Sequence, residues 1–168
     1  GFLTGMKWKA AYQTASDQKY LICNAEESDP GAFMDRTLME GNPYQLLEGI
    51  AIAAYAIGSN RAYIYIRSEY AEAIERIGNA IMVLRETGLL GDNILDSGYN
   101  LQISLRKGPG AFVCGEETAL LASIEGRRGG TGPFWLGDSF DREGHQARWR
   151  VDLDCLAYFC AQQSFANR

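Results

Sequence analysis

The chain has 168 residues, 46% of them apolar and 22% charged, within the roughly 100 to 200 residues of one globular domain with its own core. Sixteen Lys and Arg against 21 Asp and Glu leave a net charge of −5, which argues against nucleic acid as a partner, because phosphate-backbone binding needs a basic stripe. The longest nearly apolar run, GIAIAAYAIG over 49–58, is about half of the ~20 residues that a bilayer-spanning helix requires, and no charged-then-apolar leader precedes it.

In chain order, Gly1-Phe2-Leu3-Thr4-Gly5 reads as a tight glycine turn, and a start on Gly1 suggests a piece of something longer. YLICNA (20–25) is a strand-length apolar run, as is the β-branched and aromatic AYIYIR (62–67). Between them, Asn42 before Pro43 signals an N-cap and first turn. Leu46, Leu47, Ile50, Ala54 and Ile57 then recur at helical spacing up to Gly58, a C-cap. Apolar nearly all round, this helix is expected to lie between a sheet and another layer. Ser68 is expected to cap a second helix, with Tyr70, Ile74, Ile77, Ile81 and Leu84 as its apolar stripe, ending near Gly88. LQISLR (101–106) alternates as a half-buried strand does. A loop KGPGAFVCGEET follows, then a short helix from Ala119 to Gly126. Strands alternating with helices predict an α/β layered domain. After Arg128 the composition changes. Every lysine lies at or before Lys107, and only VDLDCLAYFCAQQSF (151–165) offers a further amphipathic helix.

Two segments place acids directly after a strand, where α/β sheets gather their ligands. The first, Asn24-Ala25-Glu26-Glu27-Ser28-Asp29-Pro30-Gly31, carries three acids within four residues. Pro30 and Gly31 turn the chain, so the acids are expected on a loop, although a solvated acidic turn would look the same. The second, Gly108-Pro109-Gly110-Ala111-Phe112-Val113-Cys114-Gly115-Glu116-Glu117-Thr118, lets backbone approach a ligand closely and ends at a helix start with free N–H groups. Glu116 and Glu117 would equally stabilise that helix dipole. Gly1, Gly5 and Lys7 with Phe2 and Trp8 combine a turn, a cation and two aromatic faces suited to a phosphate and a stacked ring. Cys23, Cys114, Cys155 and Cys160 include no CxxC, and His145 is the only histidine. No metal site is therefore expected in this chain, and the cysteines read as buried free thiols.

Taken together, GFLTGMKW, YLICNAEESDPGAFMDRTLMEGNPYQLLEGIAIAAYAIG, AYIYIRSEY and GPGAFVCGEETALLASIEGRRG resemble the flavin-bearing, NADH-oxidising 51 kDa (F-type) subunit of respiratory complex I. The β-subunits of NAD-linked hydrogenases and formate dehydrogenases belong to the same family. The resemblance implies a layered Rossmann-like FMN-binding domain, its mostly parallel sheet flanked by helices and incomplete at both ends. It implies FMN and NADH/NAD as cofactors, hydride passing from nicotinamide to flavin, and electrons released singly to iron–sulfur clusters. By motif position, Gly1, Gly5 and Lys7 match the glycine-rich flavin loop. Asn24, Glu26 and Glu27 match the flavin-edge segment, and Gly115 and Glu116 match flavin contacts. Phe2, Asp29, Phe112 and Glu117 match NADH positions. The flavin carries the chemistry, so no side chain is implied as catalytic.

Leu3 stands where the family usually has Pro, Glu26 where it has Asp, and Asp29 where it has Glu. Beyond Arg128 the family's later motifs, including the cysteine quartet for a 4Fe-4S cluster, are missing. Residues 1–128 therefore read as a partial FMN/NADH-binding domain, and 129–168 as a divergent tail, frameshifted or disordered. The implied partners are the iron–sulfur protein subunits of a complex I, hydrogenase or formate dehydrogenase. The implied location is cytoplasmic, peripheral on the inner membrane through that complex, without direct membrane insertion. The alternative is a non-catalytic remnant that does not hold FMN by itself.

Overall fold

The computed structural model describes residues 3–28, 31–110 and 117–126, together with the backbone of 139–140 and 146–147. Its centre is a three-stranded parallel sheet in the order β1 (Tyr20–Ala25), β2 (Arg61–Arg67), β3 (Gln102–Gly108). The strands are flanked by α1 (Thr4–Gln13), α2 (Met34–Gly41), α3 (Pro43–Ile57), α4 (Ala71–Glu86) and α5 (Glu117–Ile124). This is the α/β layering expected from the alternation of periodicities. Ser139–Phe140 and Gln146–Ala147 form a separate antiparallel pair, β4 and β5. The expected helix over 151–165 lies outside the described residues.

Both faces of β1 are covered: Leu21, Ile22, Cys23, Asn24 and Ala25 are all buried, as a parallel strand crossed by helices requires. β3 instead buries Ile103 while Gln102 and Ser104 are exposed, the half-buried strand that its alternation predicts. Asn42 caps α3, its side chain accepting from the Gln45 N–H at 3.3 Å, with Pro43 in the first turn. Gly58 closes α3 in the left-handed region at φ 74°.

Several expectations change. α3 is not enclosed on all sides: Leu46, Leu47, Ile50, Ala53, Ala54 and Ile57 are buried, whereas Tyr44, Ile52 and Tyr55 are exposed. Ser68 does not cap α4. The parallel ladder runs one residue beyond β2, with the Ser68 N–H donating to the Gly108 carbonyl at 3.1 Å, so the helix begins later, after Tyr70, without a side-chain cap. Its apolar stripe holds, with Ile77 and Ile81 buried and Tyr70, Ile74 and Leu84 packed against the core. Finally, Gly5 lies within α1 and not in a turn. Ala11 of that helix is buried in the core.

Lys107 and Gly108, expected in a loop, are the last residues of β3. Gly108 is fixed there by Tyr65 on the neighbouring strand. A Cβ at 108 would stand 2.5 Å from the Tyr65 ring. Although that contact is the far end of a side chain, it cannot swing away, because Tyr65 is 1% exposed and its hydroxyl lies 2.7 Å from Ser123 Oγ on α5. Gly108→Ala is therefore expected to destabilise the fold by about 1–3 kcal/mol through overpacking, whereas Ser104→Ala on the exposed face of β3 should stay within about 0.5 kcal/mol. Urea denaturation of the two variants checks the difference.

Candidate functional site

Beyond the carboxyl end of β1 the chain leaves the sheet as Glu26-Glu27-Ser28, beside the ends of β2 and β3. The Asn24 side chain turns the exit, its Oδ1 accepting from the Glu26 N–H at 3.1 Å. The Glu26 side chain is wholly buried. Its Oε1 accepts from the Ser28 hydroxyl and lies 4.0 Å from Arg67 Nε. Its Oε2 has no hydrogen-bond partner among the described residues. Burial raises the Glu26 carboxyl above its ordinary range, and Ser28 and Arg67 oppose that shift.

Glu27 faces the other way. Its two carboxylate oxygens accept the backbone N–H groups of Asp35 and Arg36 at 3.1 and 3.2 Å, closing the first turn of α2 from eight and nine residues upstream. Its carbonyl accepts from Arg67 Nη1 at 2.9 Å and from the Tyr70 hydroxyl at 3.2 Å. Asp35, in that same first turn, is pushed up to about 6 by burial and by the neighbouring Glu27 charge.

The structure thus brings Asn24, Glu26 and Glu27 together at one edge. Gly5 and Lys7 stand on α1, whereas the described partners of Glu26 and Glu27 come from the loop, α2, β2 and the start of α4. Glu117 is the first residue of α5, the expected helix start. Gly1, Phe2, Asp29, Phe112, Gly115 and Glu116 lie outside the described residues. On the β3 side, Gly110 adopts φ +74°, and a Cβ there would meet the Glu69 carboxylate at 3.2 Å and Arg67 Nε at 3.4 Å. Glycine at 110 thus lets the Arg67–Glu69 pair pack directly against the backbone. Cys23 of β1 is buried below this edge.

Two contributors escaped sequence reasoning. α2 carries only Leu38 and Met39 as buried residues, too few for a periodic signal, and its cap comes from distant Glu27. Arg67 closes a strand whose interior is apolar and aromatic, and its only local hint is Glu69 two residues on, which accepts from its Nε and Nη2 at 2.9 and 2.6 Å. A cleft of about 400 Å³ at the opposite, amino-terminal edge is lined by Asp17, Gln18, Lys19, Tyr55, Asn60 and Tyr99. It lies away from the strand ends where this class of sheet binds ligands.

The chain is similar in sequence and fold to known proteins. Residues 1–133 match the family model Complex1_51K, described as the Nuo51 FMN-binding domain. The chain is 53% identical over 128 residues to an NADH-quinone oxidoreductase F-type subunit (F 2) of Rhizobium meliloti (strain 1021), covering 76% of this chain and 30% of that protein. It is 55% identical over 129 residues to the NADP-reducing hydrogenase subunit HndC of Solidesulfovibrio fructosivorans, covering 77% and 26%. A solved NAD+-reducing NiFe-hydrogenase in the H2-reduced state superposes with a TM-score of 0.72 at 30% identity, over 98% of this chain and 28% of that one. The chain therefore spans less than a third of the length of these relatives.

The Asp35 environment gives a pH signature. Its folded value of about 6 exceeds the ordinary 3.8, so the fold binds this proton more tightly than the unfolded chain. Ionised Asp35 thus costs stability above about pH 6, and the cost vanishes below about pH 4. Asp35→Asn is expected to melt higher than the parent at pH 7.5, with the gap closing as pH falls through that window. Melting curves across pH check this.

Proposed function

Because the chain belongs to the complex I 51 kDa family over its FMN-binding domain, we propose that its acid edge receives the isoalloxazine ring of FMN and that NADH reacts there. The observation that carries this is the buried Glu26 Oε2, a carboxylate oxygen with no described partner at the carboxyl end of a parallel sheet. A buried acceptor left unpaired costs about 1–3 kcal/mol, and a flavin ring edge carries the N–H that would satisfy it.

When bound, FMN supplies the redox chemistry, taking two electrons as a hydride and releasing them one at a time. The protein's residues bind and orient. Glu26 accepts from the ring edge, and Asn24 fixes the turn that presents it. Glu27 anchors the loop to α2. Gly1, Gly5 and Lys7 contribute to the flavin phosphate, Gly115 and Glu116 to the ring, and Phe2, Asp29, Phe112 and Glu117 to NADH. Residues 1–128 form this unit, and 129–168 are a divergent segment. The electron acceptors are iron–sulfur subunits of a complex I, hydrogenase or formate dehydrogenase assembly, in which the chain takes a peripheral position on the cytoplasmic side. No described helix is long and apolar enough to cross a membrane.

The test is direct. Protein mixed with FMN should quench flavin fluorescence and stay yellow after desalting, and NADH should bleach the colour. Glu26→Ala is expected to bind FMN about tenfold to a hundredfold more weakly, the worth of a charged hydrogen bond of about 1.5–3 kcal/mol. Colourless protein after desalting would instead mark a remnant that holds no flavin.

A further inference from the structure

Arg67 is the only described cation within an ion-pair distance of Glu26. Its guanidinium makes four kinds of contact at once. Nη1 donates to the Glu27 carbonyl at 2.9 Å, and Nε and Nη2 donate to Glu69 Oε2 at 2.9 and 2.6 Å. Nε also lies 4.0 Å from Glu26 Oε1, and the guanidinium carbon stands 5.6 Å from the centre of the Tyr70 ring. A planar fork can serve several acceptors in fixed directions, as a lysine cannot. The Glu69 side chain is 59% exposed, so its pairing with Arg67 is screened by water. The Glu26 side chain is wholly buried, so its 4.0 Å contact with the same cation is less screened by water.

We infer that Arg67 is the positioning residue of the acid loop: from the end of β2 it fixes the Glu27 backbone through the Glu27 carbonyl and sets its positive charge beside the buried Glu26 carboxyl, with Oε2 left as an acceptor. The inference rests on the reading of Glu26 as a flavin-edge residue only for its consequence in binding; the effect on Glu26 itself belongs to the chain without ligand. The groups around Glu26 are Ser28 on its own loop, Arg67 and Glu69 at the end of β2, and Tyr70 ahead of α4. Asp35 and Arg36 of α2 stand against Glu27 instead. Among these, Arg67 alone favours the carboxylate by charge, and Glu69 opposes it.

The experiment is a carbon-detected NMR titration of the Glu26 carboxyl in the full chain, unliganded, for the parent, Arg67→Lys and Arg67→Gln, with Glu26→Gln identifying the resonance. An opposite charge at this range lowers a carboxyl by about 1–3 pH units, so Arg67→Gln should move the Glu26 midpoint up by about one unit or more. Arg67→Lys, which keeps the charge and loses the fork, should stay near the parent midpoint. At pH 6.5, FMN affinity measured by fluorescence quenching should then fall in Arg67→Gln, by no more than about tenfold per unit of midpoint shift, and less in Arg67→Lys. A Glu26 midpoint unmoved in a folded Arg67→Gln variant overturns the inference; should that variant not fold, a Glu26 midpoint in Arg67→Lys that rises by a unit overturns it as well. A midpoint that moves as expected while FMN binds unchanged supports Arg67 and overturns the assignment of Glu26 to the flavin.

Discussion

Glu27 holds the functional edge together. Its carboxylate is bound to two amides in the first turn of α2 and its carbonyl to Arg67 and Tyr70, so one residue joins β1, α2, the end of β2 and the approach to α4. A loop leaving a strand end would ordinarily sample many conformations, each ordered residue costing about 1–2 kcal/mol of backbone entropy. Here the ordering is distributed over four hydrogen bonds on a scaffold whose strands are already in register. Glu26 is thereby held in place without needing partners for both of its own oxygens.

The acids divide their work by environment. Glu27 has amides to neutralise it. Glu26 is buried with a single hydroxyl and a cation at the limit of contact, and Asp35 is half-buried beside a like charge. Glu26 and Asp35 are thus held above their ordinary range, chiefly by desolvation. Such tension is typical of sites where binding, and not folding, satisfies the polar groups. The opposite edge of the sheet is built differently: Ser59 is fully buried and its hydroxyl lies 2.8 Å from the carbonyls of Lys19 and Arg61, and the Tyr99 hydroxyl donates to the Ser59 carbonyl at 2.5 Å. Among the described residues, the buried hydroxyls of that pole find their partners within the fold.

Much of this was legible in the sequence. The three strands, the capped helix from Pro43 to Gly58 and the stripe of the helix ending near Gly88 follow from local periodicity and turn chemistry, and each reappears within a residue or two. The acid loop was legible as a cluster placed after a strand. What local patterns could not carry was reach: Glu27 acting on amides eight residues away, Arg67 acting on a carbonyl 40 residues away, and a ladder extended past β2 that removed Ser68 from its expected cap. Gly5 misled for another reason. Glycine spacing resembles a turn, but Met6, Trp8, Ala10 and Ala11 supply enough helical propensity and packing to override it.

The contact between Tyr65 and Gly108 has a consequence for how this fold can change over time. The two residues sit on adjacent strands, and each is tolerable only because of the other: the ring fills the space that a side chain at 108 would need. Substitutions at these positions must therefore be strongly non-additive. A smaller residue at 65 opens room for alanine at 108, while either change alone leaves a cavity or a clash. Divergence at this corner of the sheet has to pass through a paired exchange, and Ser123 on α5, bonded to the ring hydroxyl, is drawn into the same exchange.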